Sequence, residues 1–333
     1  MNLIRFATTA LCLASFAFGC KKADEQAAGP AKTRIGYIVK DATGEWFQNE
    51  IRFAKEAAAK DGFEIIAMPA PDGGAVMNAL DAVANKGCQA TVLCSPDVKL
   101  GPAIVRACQE KNLKLITVDD QLVGADGNPL ASVPHLGISA TEIGKLVGTS
   151  LYDEAVKRGW KLEETGVLAL THEQLPTAIA RVEGAIAGLG AKGFAAARIF
   201  KVAQPEQTIA SANAAAETVL QKHPEIKHWL ICGMNDDAVL GGVRRFEKDL
   251  AATDIIGIGI NGDAAALAEF TAAKPTGFFG TIQLEARKHG EDTARLAFKW
   301  VKEGVAPPAA TLTVGRLMTR DNFREVRKEL GLE

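Results

Sequence analysis

The chain has 333 residues, a length that suits two α/β domains better than one. Lys and Arg number 38 against 40 Asp and Glu, so the formal net charge is -2. This balance provides no overall field for nucleic acid or an anionic membrane surface. We therefore predict no nucleic-acid partner and recognition of other partners at local sites.

The N-terminus has the pattern of an export signal. Arg5 precedes an apolar run over residues 6–18, which is too short to span a membrane as a helix and ends at Gly19-Cys20. We predict that residues 1–20 are an export signal. The mature protein is then periplasmic or otherwise extracytoplasmic.

Cys20 resembles the lipidated cysteine of a bacterial lipobox, although Ala17 stands where that motif usually has Leu. In this interpretation Cys20 carries a lipid, residues 21–33 form a flexible tether, and the anchor is the only membrane contact. The alternative is a soluble periplasmic protein that is cut near the same position.

From Arg34 the chain alternates strands with helices. The strands RIGYIVK, FEIIAMPA, ATVLCS and LKLITVDD are separated by predicted helices over 46–60, 77–84 and 104–110. A break rich in Gly, Asp, Asn and Pro follows at residues 124–134. Such an alternation predicts a parallel sheet with right-handed crossovers.

After the break the alternation restarts, which indicates a second domain. Helices are predicted over 140–158, 177–189, 207–222, 237–248 and 264–270, with the strands GVLALT, ARIFKVA, HWLICGM and DIIGIGIN between them. The tail contains the strand GFFGTIQ, a helix over 285–303, one final strand TLTVGRLMT, and a closing helix over 320–330 with Asp321 as its N-cap. Both sheets need elements from this tail, so the chain is expected to cross between domains more than once.

No motif for a cofactor, a metal or catalysis is found. The segment after the first strand, RIGYIVKDATGEWF, lacks both nucleotide-binding glycine patterns, and no G-x-S-x-G is present. The five His residues and the cysteines after Cys20 lack metal-ligand spacing. Asp119-Asp120 is the only acid–base candidate, and it has no nucleophilic partner. We predict no cofactor, no metal and no enzymatic activity.

The four later cysteines are predicted to be buried free thiols. Cys94 and Cys232 lie inside apolar strands, where a thiol packs as a small apolar group. Because the compartment permits disulfides, Cys88 with Cys108 is the pair to check first.

Polar residues follow several predicted strands, namely Lys40, Asp119-Asp120, Met234-Asn235 and Asn261. Ligands of parallel α/β sheets bind outside the carboxyl ends of the strands, so these residues mark the rim of a cleft that suits a polyol. The Trp46 ring could lie against the apolar face of a sugar. Phe47 fits a ligand wall and the domain core about equally.

Two of these groups have structural alternatives. Adjacent strand residues point to opposite faces, so Asp119 and Asp120 cannot do the same job unless the chain turns between them. Asp119 could instead hold the backbone at a hinge. Asn235, Asp236 and Asp237 could form a helix N-cap, because Asn and Asp are preferred there.

The stretches YIVKDATGEWFQ, LITVDDQLV, KHWLICGMNDDAVLGGVR and DIIGIGING closely resemble the L-arabinose-binding proteins, which are periplasmic sugar receptors of ABC importers. The resemblance implies two Rossmann-like domains of the periplasmic binding protein type I fold, joined by a three-segment hinge. One lobe comprises residues 34–138 plus 284–312, and the other comprises 139–283 plus 313–333. A monosaccharide is enclosed when they close.

The resemblance also implies roles for residues. Lys40 matches a lysine that bonds a sugar hydroxyl, Asp120 the aspartate that accepts from the anomeric hydroxyl, and Arg181 the arginine that donates to the ring oxygen. Asn235 and Asn261 match asparagines that pair with the remaining hydroxyls. The other implied ligand-binding residues are Trp46, Phe47, Asp119, Ile138, Leu175, Thr177, Met234 and Gln283.

Three positions depart from the family pattern. Gly44 stands at a family glutamate, with Glu45 beside it, while Ile138 replaces a methionine and Gln283 a proline. These positions lie near the substituents that distinguish sugars. The leading ligand is L-arabinose or a related aldopyranose such as D-galactose, and the alternative is another pentose or a 6-deoxy sugar.

We predict a monomeric monosaccharide-binding component of an ABC importer, with the transporter permease as its partner. The mechanism is binding with closure about a hinge. A sugar-sensing receptor for a membrane signalling partner is the alternative. A transcription repressor with this core would need a helix-turn-helix where the chain has its export signal.

Overall fold

The computed structural model describes residues 32–333, so the predicted export signal, Cys20 and nearly all of the predicted tether lie outside the described residues. Within residues 32–333, no helix combines the length and the apolar character that a membrane crossing requires. The described chain contains two six-stranded sheets.

The first sheet is entirely parallel, in the order β11-β5-β4-β3-β1-β2. Its strands are β1 (Arg34–Val39), β2 (Glu64–Pro69), β3 (Ala90–Leu93), β4 (Lys114–Asp119), β5 (His135–Ile138) and β11 (Ala310–Thr313). Its helices are α1 (Glu45–Asp61), α2 (Gly73–Asn85), α3 (Gly101–Glu110) and α9 (Ala286–Glu303).

Alternation along β1 explains how both faces of this sheet are covered. Ile35 and Tyr37 pack into an apolar cluster with residues of α1 and α9, whereas Ile38 packs with residues of α2 and α3 on the other face. All three side chains are fully buried. Burying one such side chain contributes about 1.5–3 kcal/mol.

The second sheet has the order β12-β10-β9-β8-β6-β7 and is parallel except for β12, which runs antiparallel to β10. Its strands are β6 (Thr165–Thr171), β7 (Ile199–Ala203), β8 (His228–Gly233), β9 (Ile255–Asn261), β10 (Phe278–Gln283) and β12 (Arg316–Thr319). Its helices are α4 (Ala140–Lys157), α5 (Pro176–Ala191), α6 (Ile209–Lys222), α7 (Asp236–Phe246), α8 (Ala264–Thr271) and α10 (Phe323–Glu329).

The chain passes between the two sheets three times, from β5 to α4, from β10 to α9, and from β11 to β12. The third crossover is the pair Val314-Gly315. Gly315 has φ +91°, and a Cβ there would lie 2.6 Å from the Gln283 carbonyl oxygen. Glycine is required at this position because both the dihedral and the space exclude a side chain. The predicted fold of two parallel-sheet α/β domains with repeated crossing is confirmed.

Two helices of the second sheet pack backbone to backbone. A Cβ added to Gly144 on α4 would lie 2.0 Å from the Arg181 carbonyl oxygen on α5, and one added to Gly148 would lie 2.0 Å from the Ala185 carbonyl oxygen. No side chain fits between the helices at these points, so α4 fixes the position of α5.

Three predicted details are wrong. The strand β5 was not predicted, because it has only four residues and follows a break that ends in Pro134. TLTVGRLMT is two strands in different sheets, since the chain turns at Gly315. The closing helix begins at Phe323 with Asn322 rather than Asp321 as its N-cap, and the Asn322 side chain accepts from the Thr319 N–H instead.

Candidate functional site

The predicted ligand residues lie at the carboxyl edges of both sheets. Lys40 directly follows β1 and Asp119 ends β4, whereas Asn261 and Gln283 end β9 and β10 of the second sheet. Asn235 directly precedes α7. This is the edge at which parallel α/β sheets bind ligands.

Lys40 and Asp120 form an ion pair on the first-sheet side. The Lys40 Nζ donates to Asp120 Oδ2 at 2.5 Å, and the Cys94 thiol lies 3.4 Å from the same oxygen. Burial works to lower the pKa of Lys40, but Cys94 and the Asp120 carboxylate outweigh it and raise that pKa overall. Each partner of the pair is about one-third exposed, at 35% and 34%. Both charged groups are therefore accessible to solvent.

The backbone turns sharply between Asp119 and Asp120. Asp119 has φ +62°, and the Asp120 N–H donates to the Val118 carbonyl oxygen at 2.7 Å. This three-residue turn sends the two carboxylates to different partners. Asp120 pairs with Lys40, whereas Asp119 is only 15% exposed and accepts from Trp46 Nε1 at 3.1 Å and from His289 Nδ1 at 2.8 Å.

His289 and Glu50 complete a buried network that the sequence did not reveal. Both side chains are fully buried, and His289 Nδ1 lies 3.4 Å from Glu50 Oε1. The other His289 nitrogen, Nε2, lies 2.8 Å from Thr313 Oγ1. Glu50 sits one helical turn after Trp46 on the buried face of α1, and a carboxylate on an apolar helix face is the signal that could have identified it.

Burial and neighbouring charges act in opposite directions on the pKa values of this network. Burial raises the pKa of Glu50 well above its usual value, and Asp119 raises it further. Burial also pushes the pKa of Asp119 upward, but His289 and the Trp46 N–H outweigh it and lower that pKa overall. Contacts with Asp119 and Glu50 overcome the burial of His289 and raise its pKa to about 9. A protonated His289 therefore faces an ionised Asp119.

Glu50, Asp119 and His289 are also the set of potential metal ligands found among residues 32–333, since their ligand atoms lie within 4.8 Å of one another. A direct hydrogen bond of 2.8 Å joins His289 Nδ1 to Asp119 Oδ1. We interpret the cluster as a proton-linked network because this bond places a hydrogen between two of the three ligand atoms.

The second-sheet side is held mainly by backbone contacts. Arg181 Nη1 donates to the Met234 carbonyl oxygen at 2.7 Å, while Arg181 Nε is buried and makes no hydrogen bond within residues 32–333. Burial lowers the pKa of Arg181 below its usual value. Asn235 caps α7 by accepting from the Ala238 N–H at 3.0 Å, which leaves its NH₂ group available. The capping and ligand-binding interpretations of Asn235 are thus compatible in a single side chain.

Asn261 and Gln283 lie beside one another at the ends of paired strands. The Gln283 amide donates to the carbonyl oxygens of Asn261 and Leu284 at 3.0 and 3.2 Å. Its Oε1 is buried without a hydrogen-bond partner in the part of the chain that the structure describes. An acceptor that needs a donor therefore lies next to Asn261.

Asp236 is fully buried and organises the loop that carries Asn261. Its carboxyl group accepts from the Gly262 and Asp263 N–H groups at 2.9 and 3.1 Å and from the Thr281 hydroxyl at 2.6 Å. Burial and the nearby Asp263 raise the pKa of Asp236 to about 8. Asp236 is therefore a structural residue behind the site.

The remaining predicted residues have mixed surroundings. Trp46 and Ile138 pack against an apolar cluster that includes Ile260 and Ile282 of the second sheet, whereas Phe47 packs against the core of the first sheet. Lys40 Nζ lies 5.9 Å from the Phe47 ring centre. Leu175 and Thr177 lie at the start of α5 and are exposed, whereas Met234 directly follows β8 and is buried.

Glu45 is exposed and follows Gly44, the N-cap of α1. No hydrogen bond of its side chain is found among residues 32–333, so the family glutamate has no counterpart that is anchored in the protein. The four later cysteines are free and buried, which confirms the prediction for them.

The fold and the polar groups at the carboxyl edges of its two sheets are those of a class, the periplasmic ligand-binding proteins. Residues 32–322 match the profile of the family of periplasmic binding proteins and sugar binding domain of LacI family, and the chain belongs to this family. It is 43% identical to the ABC transporter L-arabinose-binding periplasmic protein of Azospirillum brasilense over 333 residues, covering 99% of this chain and 98% of the relative. It is 42% identical to the L-arabinose-binding periplasmic protein of Escherichia coli (strain K12) over 318 residues, covering 95% and 96%.

Among solved structures, the periplasmic ribose ABC transporter of Conexibacter woesei matches with a TM-score of 0.72 at 19% identity, covering 89% of this chain and 95% of that one. This likeness confirms the type I fold. The family relationship confirms that the chain is an extracytoplasmic binding protein of a transport system and not an enzyme.

Proposed function

We propose that this chain binds L-arabinose, or a closely related aldopyranose such as D-galactose, and delivers it to the permease of an ABC importer. The observation that carries the proposal is the set of buried or half-buried polar groups that the two sheets present at their carboxyl edges. Two relatives that are 43% and 42% identical over nearly their full length are named as L-arabinose-binding proteins, which supports this ligand.

In the proposed complex each polar group pairs with the sugar. Lys40 and Asp120 bind hydroxyls from the first-sheet side, with Asp120 accepting from the anomeric hydroxyl. Arg181 donates to the ring oxygen. Its Nη1 already bonds the Met234 carbonyl oxygen, whereas its Nε makes no hydrogen bond within residues 32–333 and can donate to the sugar. Asn235 and Asn261 take the remaining hydroxyls from the second sheet.

Aromatic and apolar side chains form the walls of the proposed site. Trp46 is the leading candidate because its ring is fixed by Asp119 and it is partly exposed. We retain Phe47, Ile138, Leu175, Thr177, Met234 and Gln283 as further ligand-binding residues, and Asp119 as a residue that acts through Trp46.

The lobes 34–138 plus 284–312 and 139–283 plus 313–333 are proposed to close around the sugar as a monomer. Support comes from the sheets, since each sheet lies within one lobe, apart from Thr313 at the end of β11, and the three crossovers fall near the lobe boundaries. Contacts from both lobes make the closed form the one that the ligand stabilises.

A thermal-shift screen of monosaccharides tests the proposal. A ligand at 100 times its Kd stabilises a protein by about 2.7 kcal/mol, which gives a clear rise in Tm. We expect the largest rise with L-arabinose or D-galactose and smaller ones with D-ribose and 6-deoxy sugars. If none of these sugars shifts the Tm at 10 mM, the proposed ligand class is wrong.

We further propose that Cys20 is lipidated and anchors the protein to a membrane. Gly19-Cys20 at the end of the signal and the polar segment after it support this. The full-length protein should partition into detergent, and the Cys20→Ala variant into the aqueous phase. Equal release of both proteins would favour the soluble form.

A further inference from the structure

We propose that His289 is a positioning residue for the sugar site. It holds Asp119 at a fixed position relative to the crossover segments, and through Asp119 it fixes the orientation of the Trp46 ring. This inference rests on the proposed sugar-binding function, because Trp46 is the aromatic wall of that site. An unbroken series of hydrogen bonds runs from the Trp46 indole to the Gly137 backbone and supports this role.

The first three hydrogen bonds of this series have ordinary lengths, and the last one is longer. Trp46 Nε1 donates to Asp119 at 3.1 Å, His289 Nδ1 donates to Asp119 at 2.8 Å, and His289 Nε2 contacts Thr313 Oγ1 at 2.8 Å. The Thr313 hydroxyl donates in turn to the Gly137 carbonyl oxygen at 3.3 Å. Thr313 therefore uses its hydrogen on Gly137 and accepts from His289.

It follows that both nitrogens of His289 act as donors. Asp119 as a carboxylate only accepts, and Thr313 Oγ1 has given its hydrogen to Gly137, so the ring carries a proton on each nitrogen. Because both of its nitrogens donate, the His289 ring links Asp119 of β4 to Thr313 of β11 and is held in one orientation.

His289 is connected, directly or through Thr313, to residues that lie beside all three crossovers. It lies at the start of α9, directly after the second crossover, and Thr313 is the last residue of β11 before the third. Gly137 lies in β5 just before the first crossover, and the Ser139 N–H donates to the Thr313 carbonyl oxygen at 2.8 Å. A movement of any crossover is therefore transmitted to His289.

The Trp46 ring is fixed by His289 in two ways. Its indole N–H is directed by Asp119, and its ring packs edge-on against the His289 ring at 5.1 Å between centres. His289 and Glu50 are completely buried, so water does not readily replace either contact. Trp46 loses its orientation if His289 cannot hold Asp119.

The charged and titratable groups around His289 and its partners Asp119 and Glu50 come from six elements and the loops that follow them. They are Tyr37 and Lys40 of and after β1, Glu50 of α1, Cys94 after β3, Asp119 and Asp120 of and after β4, His135 of β5, and Asp292 of α9 itself. Burial lowers the pKa of His135 to about 4, so this second histidine stays uncharged at neutral pH.

Two isosteric variants separate the two bonds of His289. In His289→Asn the amide nitrogen takes the place of Nδ1 and keeps the bond to Asp119, whereas in His289→Gln it takes the place of Nε2 and keeps only the bond to Thr313. We expect L-arabinose affinity, measured by calorimetry at pH 7, to fall at least tenfold in His289→Gln and less than threefold in His289→Asn. His223→Asn, on the second-sheet side, is the matched control and should bind as the parent protein does.

A measurement without sugar keeps the inference separate from the proposed function. The near-ultraviolet circular dichroism of Trp46, obtained by subtracting the spectrum of Trp46→Phe, should persist in His289→Asn and be lost in His289→Gln. A purely structural role would affect both variants alike. Equal affinities together with equal Trp46 signals in the two variants would overturn the inference. A parent protein that binds no sugar but shows the predicted Trp46 signals would overturn only the proposed function.

Discussion

The two halves of the site differ in how their polar groups are paired before a ligand arrives. On the first-sheet side Lys40 is bonded to Asp120, and Trp46 is held by Asp119 and His289. On the second-sheet side Arg181 Nε and Gln283 Oε1 are buried without partners among residues 32–333. The ligand-binding residues of the first half are paired with one another, although the two carboxyl oxygens of the neighbouring Glu50 have no hydrogen-bond partner among residues 32–333. In the second half, Arg181 and Gln283 themselves each keep an unpaired atom that a ligand could pair.

This difference has an energetic consequence. A buried polar group without a partner costs about 1–3 kcal/mol, and a ligand that satisfies it recovers that free energy. Changes in the first half should therefore affect stability as well as affinity. Changes at Arg181 in the second half should affect affinity far more than stability.

The strongest test of the first half is the dependence of stability on pH. The His289 pKa is about 9 in the folded protein, above its ordinary value of 6.5. The folded protein thus binds this proton more tightly than the unfolded chain does. The resulting stabilisation of the folded state is fully present below pH 6.5 and is lost as the pH rises through about 9. At about 1.4 kcal/mol per pKa unit, we expect a loss on the order of 3 kcal/mol.

Urea unfolding between pH 6 and 10 measures this loss, with His289→Gln as the reference. The Asp236 carboxyl, whose pKa is about 8, titrates in the same window but in both proteins, so the difference between their stabilities isolates His289. If the difference in unfolding free energy is constant across the window, His289 is not protonated in the folded state.

The matching test of the second half is Arg181→Lys. A lysine cannot reproduce the planar fork that reaches both the Met234 carbonyl and a sugar oxygen. The loss of a charged hydrogen bond costs about 1.5–3 kcal/mol, so affinity should fall at least tenfold. The Tm without ligand should stay within about 1 °C, because the only hydrogen bond that Arg181 makes within residues 32–333 is to a backbone oxygen.

Calorimetry and thermal unfolding check this prediction, with the exposed Arg106→Lys on α3 as the control. Unchanged affinity in Arg181→Lys would show that the guanidinium does not contact the sugar and would weaken the assignment of the second half.

Asp120→Asn should have the smallest effect and should change both quantities. An ion pair that is about one-third exposed contributes about 0.2–1 kcal/mol, and the amide retains one acceptor. We expect the Tm to fall by about 1–3 °C and affinity by about fivefold. A loss of affinity with no change in Tm would show that Asp120 behaves as we expect Arg181 of the second half to behave. The difference that we infer between the two halves of the site would then not hold.

The fold was largely predictable because periodicity is a local property of the sequence. The alternation of apolar strands such as HWLICGM with amphipathic helices predicted both sheets. The strand β5 and the separation of TLTVGRLMT into two sheets were not predicted, since they depend on which distant strands pair. Gly315 was the local indication of that separation.

The site was predictable where it follows strand ends. Lys40, Asp120, Asn235 and Asn261 were found from this rule, whereas Arg181 lies on a helix and was assigned only through family resemblance. His289 was missed because its partner Asp119 is 170 residues away in the sequence. Contacts of such separation leave no local pattern.

The close contact between α4 and α5 couples the positions of these two helices. α4 begins directly after the first crossover, and the Arg181 carbonyl rests on Gly144 without an intervening side chain. A rotation of the backbone near residue 139 therefore moves Arg181 directly, because no flexible side chain lies between the two helices at this contact. In the proposed closure, Arg181 would therefore move together with α4, and the close glycine contacts would keep its position relative to α4 constant.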